Sequence, residues 1–238
     1  MISTIIDIET TNLLTGPGLS EPIDKTTGYL KDDREILEVS YIRVDNATAE
    51  ILSSGSLYFY KDYFQIENEA QRFHGLTRDF LKQYKDDFDK NLIILDSLFQ
   101  KTNIIGKNSE HFDIPFIRGF IDKHGKSKLN LDDLIIQAKI KKIDGDRLIY
   151  NPILFSTEIQ SIFKSTFRRL YTEKTGQVLH PNKRGTLSEY IEVLDAFDKV
   201  DEIYASLPKD RVTKAHGALY DCVMTYVVWK ECKDRELI

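Results

Sequence analysis

Long apolar runs are missing from this chain. No stretch approaches the roughly 20 residues needed to cross a bilayer, and the opening Met1-Ile2-Ser3-Thr4 lacks the basic start of a secretory signal. A cytoplasmic protein with no membrane partner is the expectation. Cysteine is scarce as well. Cys222 and Cys232 are the only two; they fall in one predicted helical segment, a poor arrangement for a disulfide, and have no companions for a zinc site. Reduced, structural thiols are expected. Nor is there an excess of positive charge: 33 Lys and Arg face 38 Asp and Glu, a formal net charge of -5. That argues against binding nucleic acid through bulk charge alone, but does not exclude a polyanionic substrate if several acids are reserved for cations. Internal repeats, low-complexity tracts and linkers are absent too. The 238 residues, 41% of them hydrophobic, therefore read as one domain, 1–238, with a full core.

Apolar periodicity predicts the order of elements. A β-branched strand over residues 2–8 is followed, after a loop with Gly16-Pro17-Gly18, by alternating strands over 36–44 and 52–59. The gap at Asp45-Asn46 is too short for a parallel crossover, which predicts an antiparallel meander. Helices are expected over 67–73, stopped at His74-Gly75, over 77–84 and over 92–100, and then a short buried strand at Asn103-Ile104-Ile105-Gly106. Ile114, Phe116, Ile117, Phe120 and Ile121 recur at helical spacing, with Asp113 at that helix's start. A helix over 156–175 has a possible capping box at Thr157 and Gln160, an apolar stripe of Ile159, Ile162, Phe163, Phe167 and Leu170, and a stop at Gly176. Its other face carries Lys164, Arg168 and Arg169, which fit either a solvated face or a phosphate-contacting one. Helices over 187–194 and 218–232 complete the chain, the last apolar on the side of Leu219, Cys222, Tyr226 and Trp229.

The residues that carry chemistry are Asp7, Glu9, Asp113, His216 and Asp221. Asp7 and Glu9 lie two apart on a strand, so both side chains face the same way. An Asp-x-Glu at a strand end, or an Asp that opens a helix, is unremarkable alone. Acids that follow a β-branched strand, a short apolar strand and a histidine-led helix, in that order, are another matter. Four carboxylates gathered by a fold need divalent cations to tolerate their repulsion, and an all-oxygen set suits magnesium or manganese better than zinc. Two such ions can activate water and stabilise the leaving 3′ oxygen of a phosphodiester. A histidine, with a reference pKa of about 6.5, can take the proton from that water. The spacing of His216 and Asp221 would splay them on one continuous helix, so His216 is expected on a loop.

The chain resembles the DEDDh branch of the DnaQ-like 3′–5′ exonucleases, in the ribonuclease H-like superfamily. Asp7-Ile8-Glu9-Thr10-Thr11 is similar to the first exonuclease motif, Asn108 through Asp113 to the second, and His216 with Asp221 to the third. Phe73-His74-Gly75-Leu76-Thr77 resembles the family's His-Gly-Leu-Thr stretch, and Leu131-Asp132-Asp133-Leu134 its Asp-x-Leu element. Leu187-Ser188-Glu189-Tyr190 resembles the helix before the third motif. The loop at 15–33 and a helical insert near 143–183 stand outside the likeness. What the resemblance implies is an α/β fold, a mixed sheet of antiparallel meander plus parallel strands flanked by helices. It also implies two magnesium or manganese ions on Asp7, Glu9, Asp113 and Asp221, and release of nucleoside 5′-monophosphates. Thr10, Thr11, Leu76, Asn108 and Phe112 would border the terminal nucleotide, although Leu76 and Phe112 equally suit a core. His74 suits a helix end or a substrate contact.

The expected activity is a metal-dependent 3′–5′ exonuclease on single-stranded or frayed DNA ends, with a polymerase or other replication protein as a possible partner and proofreading as a possible role. Asn108 and Asp113 are separated by one residue more than is usual in polymerase proofreading subunits. That spacing is nearer oligoribonuclease and the bacterial single-strand-specific exonuclease, and the likeness to the first motivates an RNA-directed alternative. An end-binding module with little catalysis, docking a partner through the helix over 156–175, is the alternative from another class.

Overall fold

The computed structural model describes residues 2–12, 34–99, 102–109, 112–124, 142–144, 147–149, 156–180, 183–212 and 216–238. Its framework is a five-stranded mixed sheet. Strands β1 (Ile2–Thr10), β2 (Ile36–Asp45) and β3 (Ile51–Tyr58) form the expected antiparallel meander. β4 (Asn103–Gly106) joins β1 in parallel, and a strand at Ser156–Glu158 joins β4 in parallel, giving the order β3, β2, β1, β4 and then Ser156–Glu158. The short pair β5 (Lys142–Asp144) and β6 (Arg147–Ile149) forms a separate antiparallel ribbon, and Ser156–Glu158 is accordingly β7.

Because β1 lies mid-sheet, both of its faces are covered, which is why it reads as a near-continuous β-branched run. After α1 (Asn68–His74), Ile6 and Ile8 join the core beneath α2 (Arg78–Leu81), a 3₁₀ turn at Lys82–Asp87, α3 (Phe88–Phe99) and α4 (Asp113–His124). Ile5 faces the opposite core, built from α5 (Ile159–Thr175), α6 (Leu187–Val193), α7 (Phe197–Ser206) and α8 (Ala218–Asp234). Asp7 and Glu9 share the face of Ile5. They interrupt an apolar strip where packing alone would favour two more aliphatic residues, and that interruption marks the site.

Three expectations need correction. Thr157 does not cap a helix: it pairs with Ile105 in β7, and α5 starts two residues later behind Glu158, whose side chain makes no capping bond. Parallel pairing on the edge of β4 satisfies backbone groups that a first helical turn would leave open. The helix expected over 77–84 is one α-turn that tightens into 3₁₀ geometry. α8 is not apolar on one side only: Leu219, Tyr220, Cys222, Val223, Met224, Tyr226, Val227 and Trp229 are all buried, since the sheet covers one side and α5 to α7 the other.

The stripe on α5 packs as its periodicity predicts. Phe163 and Phe167 are fully enclosed and touch Tyr190 of α6, each burial contributing about 1.5–3 kcal/mol. Within the predicted insert, β7 with α5 thus supplies a sheet edge and core side chains. Gly75 and Gly176 end α1 and α5 in the left-handed conformation. Both cysteines are free and buried. No helix among the described residues is long and apolar enough to cross a membrane.

Candidate active site

The site forms at the carboxyl end of β1, where its ladder with β4 has already ended. β1 and β4 pair only as far as Ile5 and Ile105, so the backbone beyond is free for other partners. Between Glu9 and Thr10 the register against β2 slips by a bulge, a device that re-aims side chains at the end of a strand. Asp7 stands opposite Ser40 and Glu9 opposite Glu38. Burial, then the charges of Asp221, Asp113, Glu9 and Glu38, push the Asp7 carboxyl well above the usual range. Glu9 is raised by burial, then by Glu38 and Asp221, with the Arg211 guanidinium opposing.

Asp113 opens α4 at the mouth of β4. The loop before it is tight: Gly106 has no room for a Cβ, which would collide with the Ser109 side chain, and Asn108 takes a positive φ of 64°. The N–H of Asn108 donates to Glu158 Oε1 at 2.5 Å, and that of Phe112 to the Asn108 carbonyl at 3.0 Å. Asp113 is buried, and burial pushes its pKa to about 7, Glu158 adding to the rise while backbone N–H groups of Asp113 and Ile8 hold it back.

Asp221 comes from the first turn of α8. Burial raises it to about 7, offset by the backbone of His216 and by Lys107. His216 lies on the turn before α8, as expected, with a positive φ of 70°. Its backbone N–H faces Asp221 Oδ1 at 3.4 Å, and its exposed ring packs on Phe73 at 4.1 Å between centroids. The structure therefore brings Asp7, Glu9, Asp113 and Asp221 within range of one another's charge, and holds His216 beside them.

Two further groups belong to this cluster and escape a reading of the sequence. The Lys107 ammonium sits among the acids: burial lowers its pKa, while Glu158, Asp7, Asp113 and Asp221 pull it back up. Its place directly before Asn108 is the available signal. Glu158 is hidden because β7 reads as the first turn of a helix.

The donor set fits hard divalent cations. Buried carboxylates that raise one another's pKa are short of positive charge, and oxygen-only ligation suits magnesium or manganese. Among the described residues no three Asp, Glu, His or Cys side chains converge to ligating distance as they stand. They are neighbours through charge, not a closed coordination shell.

The residues expected to border a nucleotide divide. Phe112 is partly buried on the core, its ring 5.0 Å from that of Phe116. Thr10 and Thr11 are buried; Thr11 exchanges bonds with Glu35, its N–H donating to the carbonyl at 2.9 Å and its hydroxyl accepting from the Glu35 N–H at 3.1 Å. Leu76 is fully enclosed in the core and offers no surface to a ligand. His74 is buried at the end of α1 and its Nδ1 accepts from the Leu76 N–H at 3.0 Å; burial, with Arg211 nearby, lowers its pKa to about 4. The element Leu131 to Leu134 lies outside the described residues.

A family model described as Exonuclease, RNase_T, matches residues 4–150. No curated protein sequence matches the chain. Among solved structures, E. coli exonuclease I in complex with a dT13 oligonucleotide is similar with a TM-score of 0.58 at 15% identity, over 99% of this chain. The chain spans 41% of that protein's length. A 3′-exonuclease studied in 3′-end recognition of the histone mRNA stem-loop gives 0.57 at 13% identity, over 98% of this chain and 82% of the other. The nuclease domain of 3′hExo, a DEDDh family member bound to rAMP, gives 0.53 at 16% identity, over 98% and 92%. These likenesses establish the ribonuclease H-like fold.

Proposed function

The chain belongs to the exonuclease family, and we propose that it removes nucleotides one at a time from the 3′ end of single-stranded or frayed DNA, in a reaction that depends on two magnesium or manganese ions. As a family member it is a nuclease, a hydrolase of phosphodiester bonds. One observation supports the finer reading: acids from three distant segments, Asp7 and Glu9 from β1, Asp113 from α4 and Asp221 from α8, press on each other's charge at the end of one strand. A fold gains nothing from that repulsion unless a cation relieves it.

Asp7, Glu9, Asp113 and Asp221 would hold the ions. Bound there, they would supply Lewis-acid stabilisation of the charge that builds on the phosphate and on the leaving 3′ oxygen. His216 takes the proton from the attacking water; its turn position leaves the residue exposed, with its backbone N–H facing Asp221. Lys107 carries the charge balance of the inner acids and adds a cation facing the phosphate. Asn108, with its backbone anchored on Glu158, and Phe112 border the terminal nucleotide. Phe112 serves as an aromatic face for a base, a sequence-tolerant contact. Release of a nucleoside 5′-monophosphate follows from hydrolysis on the 3′-oxygen side of the scissile phosphate.

The spacing between Asn108 and Asp113 favours one second reading, the same chemistry on RNA. Matched 5′-labelled and 3′-labelled DNA and RNA strands, with and without magnesium, separate the two by which polymer shortens from its 3′ end. Asp7→Ala or Asp113→Ala should lose nearly all cleavage while the circular dichroism spectrum stays native. Full activity in either variant refutes the assignment.

A further inference from the structure

We infer that the carboxyl end of α1 is a seat for the histidine, with Phe73 and Arg211 acting as positioning residues that hold His216 over the acidic site. This rests on the reading of His216 as the group that takes the proton.

His216 is exposed, and its backbone sits at a positive φ that a non-glycine residue adopts only when its surroundings enforce it. Left to itself, an exposed imidazole samples several rotamers, and a proton acceptor loses efficiency with every one that points elsewhere. The structure supplies two restraints, and both land on the same short stretch. The ring of His216 lies on Phe73, the rings tilted by 38°. Upstream in the same connection, the Arg211 guanidinium donates to the His74 carbonyl at 2.9 Å and to Glu38 Oε2 at 2.7 Å.

That stretch is itself stiff. His74 is buried and braces the Leu76 N–H, and Gly75 turns through a φ of 72°. A Cβ at Gly75 would lie 3.6 Å from Arg211 Nη1, so the arginine passes close over the turn. The Tyr204 hydroxyl donates to the Arg211 carbonyl at 3.4 Å.

Arg211 does a second thing. Glu38 stands directly opposite Glu9 on the neighbouring strand, and directly opposed side chains share a face of the sheet. The Glu38 side chain is only 2% exposed. Paired with Arg211, its charge is satisfied by the protein and Glu38 stays out of the set of acids that would receive ions. One arginine thus ties the histidine connection to the strand beside Glu9.

The experiment is a double-mutant cycle on a 5′-labelled oligonucleotide with magnesium, measuring kcat and KM. Phe73→Ala should lower kcat on the order of ten-fold, with KM little changed, and Phe73→Tyr, which keeps the ring, should restore it. In a His216→Ala background the Phe73→Ala change should cost nothing more. Because Arg211→Met alone strands the Glu38 charge and can unfold the chain, it is made together with Glu38→Gln and checked by thermal melting. That pair should likewise lose activity only when His216 is present. Equal losses with and without His216, or no loss from Phe73→Ala, overturn the inference and leave the proposed function standing. A fully active His216→Ala variant overturns the inference together with the proton-accepting role of His216, whereas the metal-dependent cleavage itself stands or falls with Asp7→Ala and Asp113→Ala.

Discussion

Replacing Asp113 by asparagine should remove activity and yet stabilise the metal-free protein, by an amount that depends on pH. Burial and Glu158 raise this carboxyl from 3.8 to about 7 in the folded chain. The sign follows from that direction. A carboxyl whose folded pKa exceeds its unfolded value takes up a proton on folding. Its stabilising contribution is complete below the unfolded pKa and is lost as pH rises through the folded one. Between about pH 5 and about pH 8, a rise of this size, at about 1.4 kcal/mol per pKa unit, takes on the order of 2–3 kcal/mol from the wild-type protein. The amide introduced by Asp113→Asn does not titrate, so the variant keeps that energy. Urea denaturation in EDTA at the two pH values measures the difference: the gap between variant and wild type should move in the variant's favour by about that amount on going to the higher pH. Magnesium at the higher pH should then stabilise the wild type and do little for Asp113→Asn. If the variant is destabilised to the same extent at both pH values, the carboxyl is not held in a charge-starved site and the reasoning fails.

Two other outcomes follow from the same geometry. His216→Ala should slow chain-end cleavage in magnesium by about ten-fold or more in kcat while the melting temperature stays native; an unchanged rate removes His216 from proton transfer. Gly106→Ala should be costly out of proportion to one methyl group, because its Cβ collides with the buried Ser109 side chain. Destabilisation of about 1–3 kcal/mol in thermal or urea unfolding is expected, with activity reduced through displacement of Asn108 and Asp113, whereas a native melting curve would show that the turn has room to give.

The elements most legible in the chain are those with a single strong period. β1, β2 and β3 alternate or run β-branched because each packs a face against a core, and the short link at Asp45-Asn46 leaves only an antiparallel return. α4 shows its stripe because Phe116, Ile117, Phe120 and Ile121 meet the core, and α5 because one of its sides meets the core and the other meets water. β7 escapes for a physical reason: three residues carry no period, and Ser156 and Thr157 are as good at a helix start as on a parallel edge strand. What makes them a strand is the open edge of β4, which no local pattern reports. Leu76 illustrates the same limit, since an aliphatic residue after a helix-ending glycine looks alike whether it meets a nucleotide or the core.

Order along the chain is enough to propose Asp7, Glu9, Asp113, His216 and Asp221, because a strand period places Asp7 with Glu9 and the chemistry of acids beside an imidazole restricts what such a set can do. Only packing in three dimensions could add Lys107 and Glu158 to the acids, pair Glu38 with Arg211, and seat the imidazole on Phe73. Those groups act through charge and contact between segments far apart in the chain, and Coulombic neighbours have no periodicity along a backbone. Residue type and spacing carry the chemistry that is possible; burial and proximity, which exist only in the folded molecule, decide which charges it must be done with.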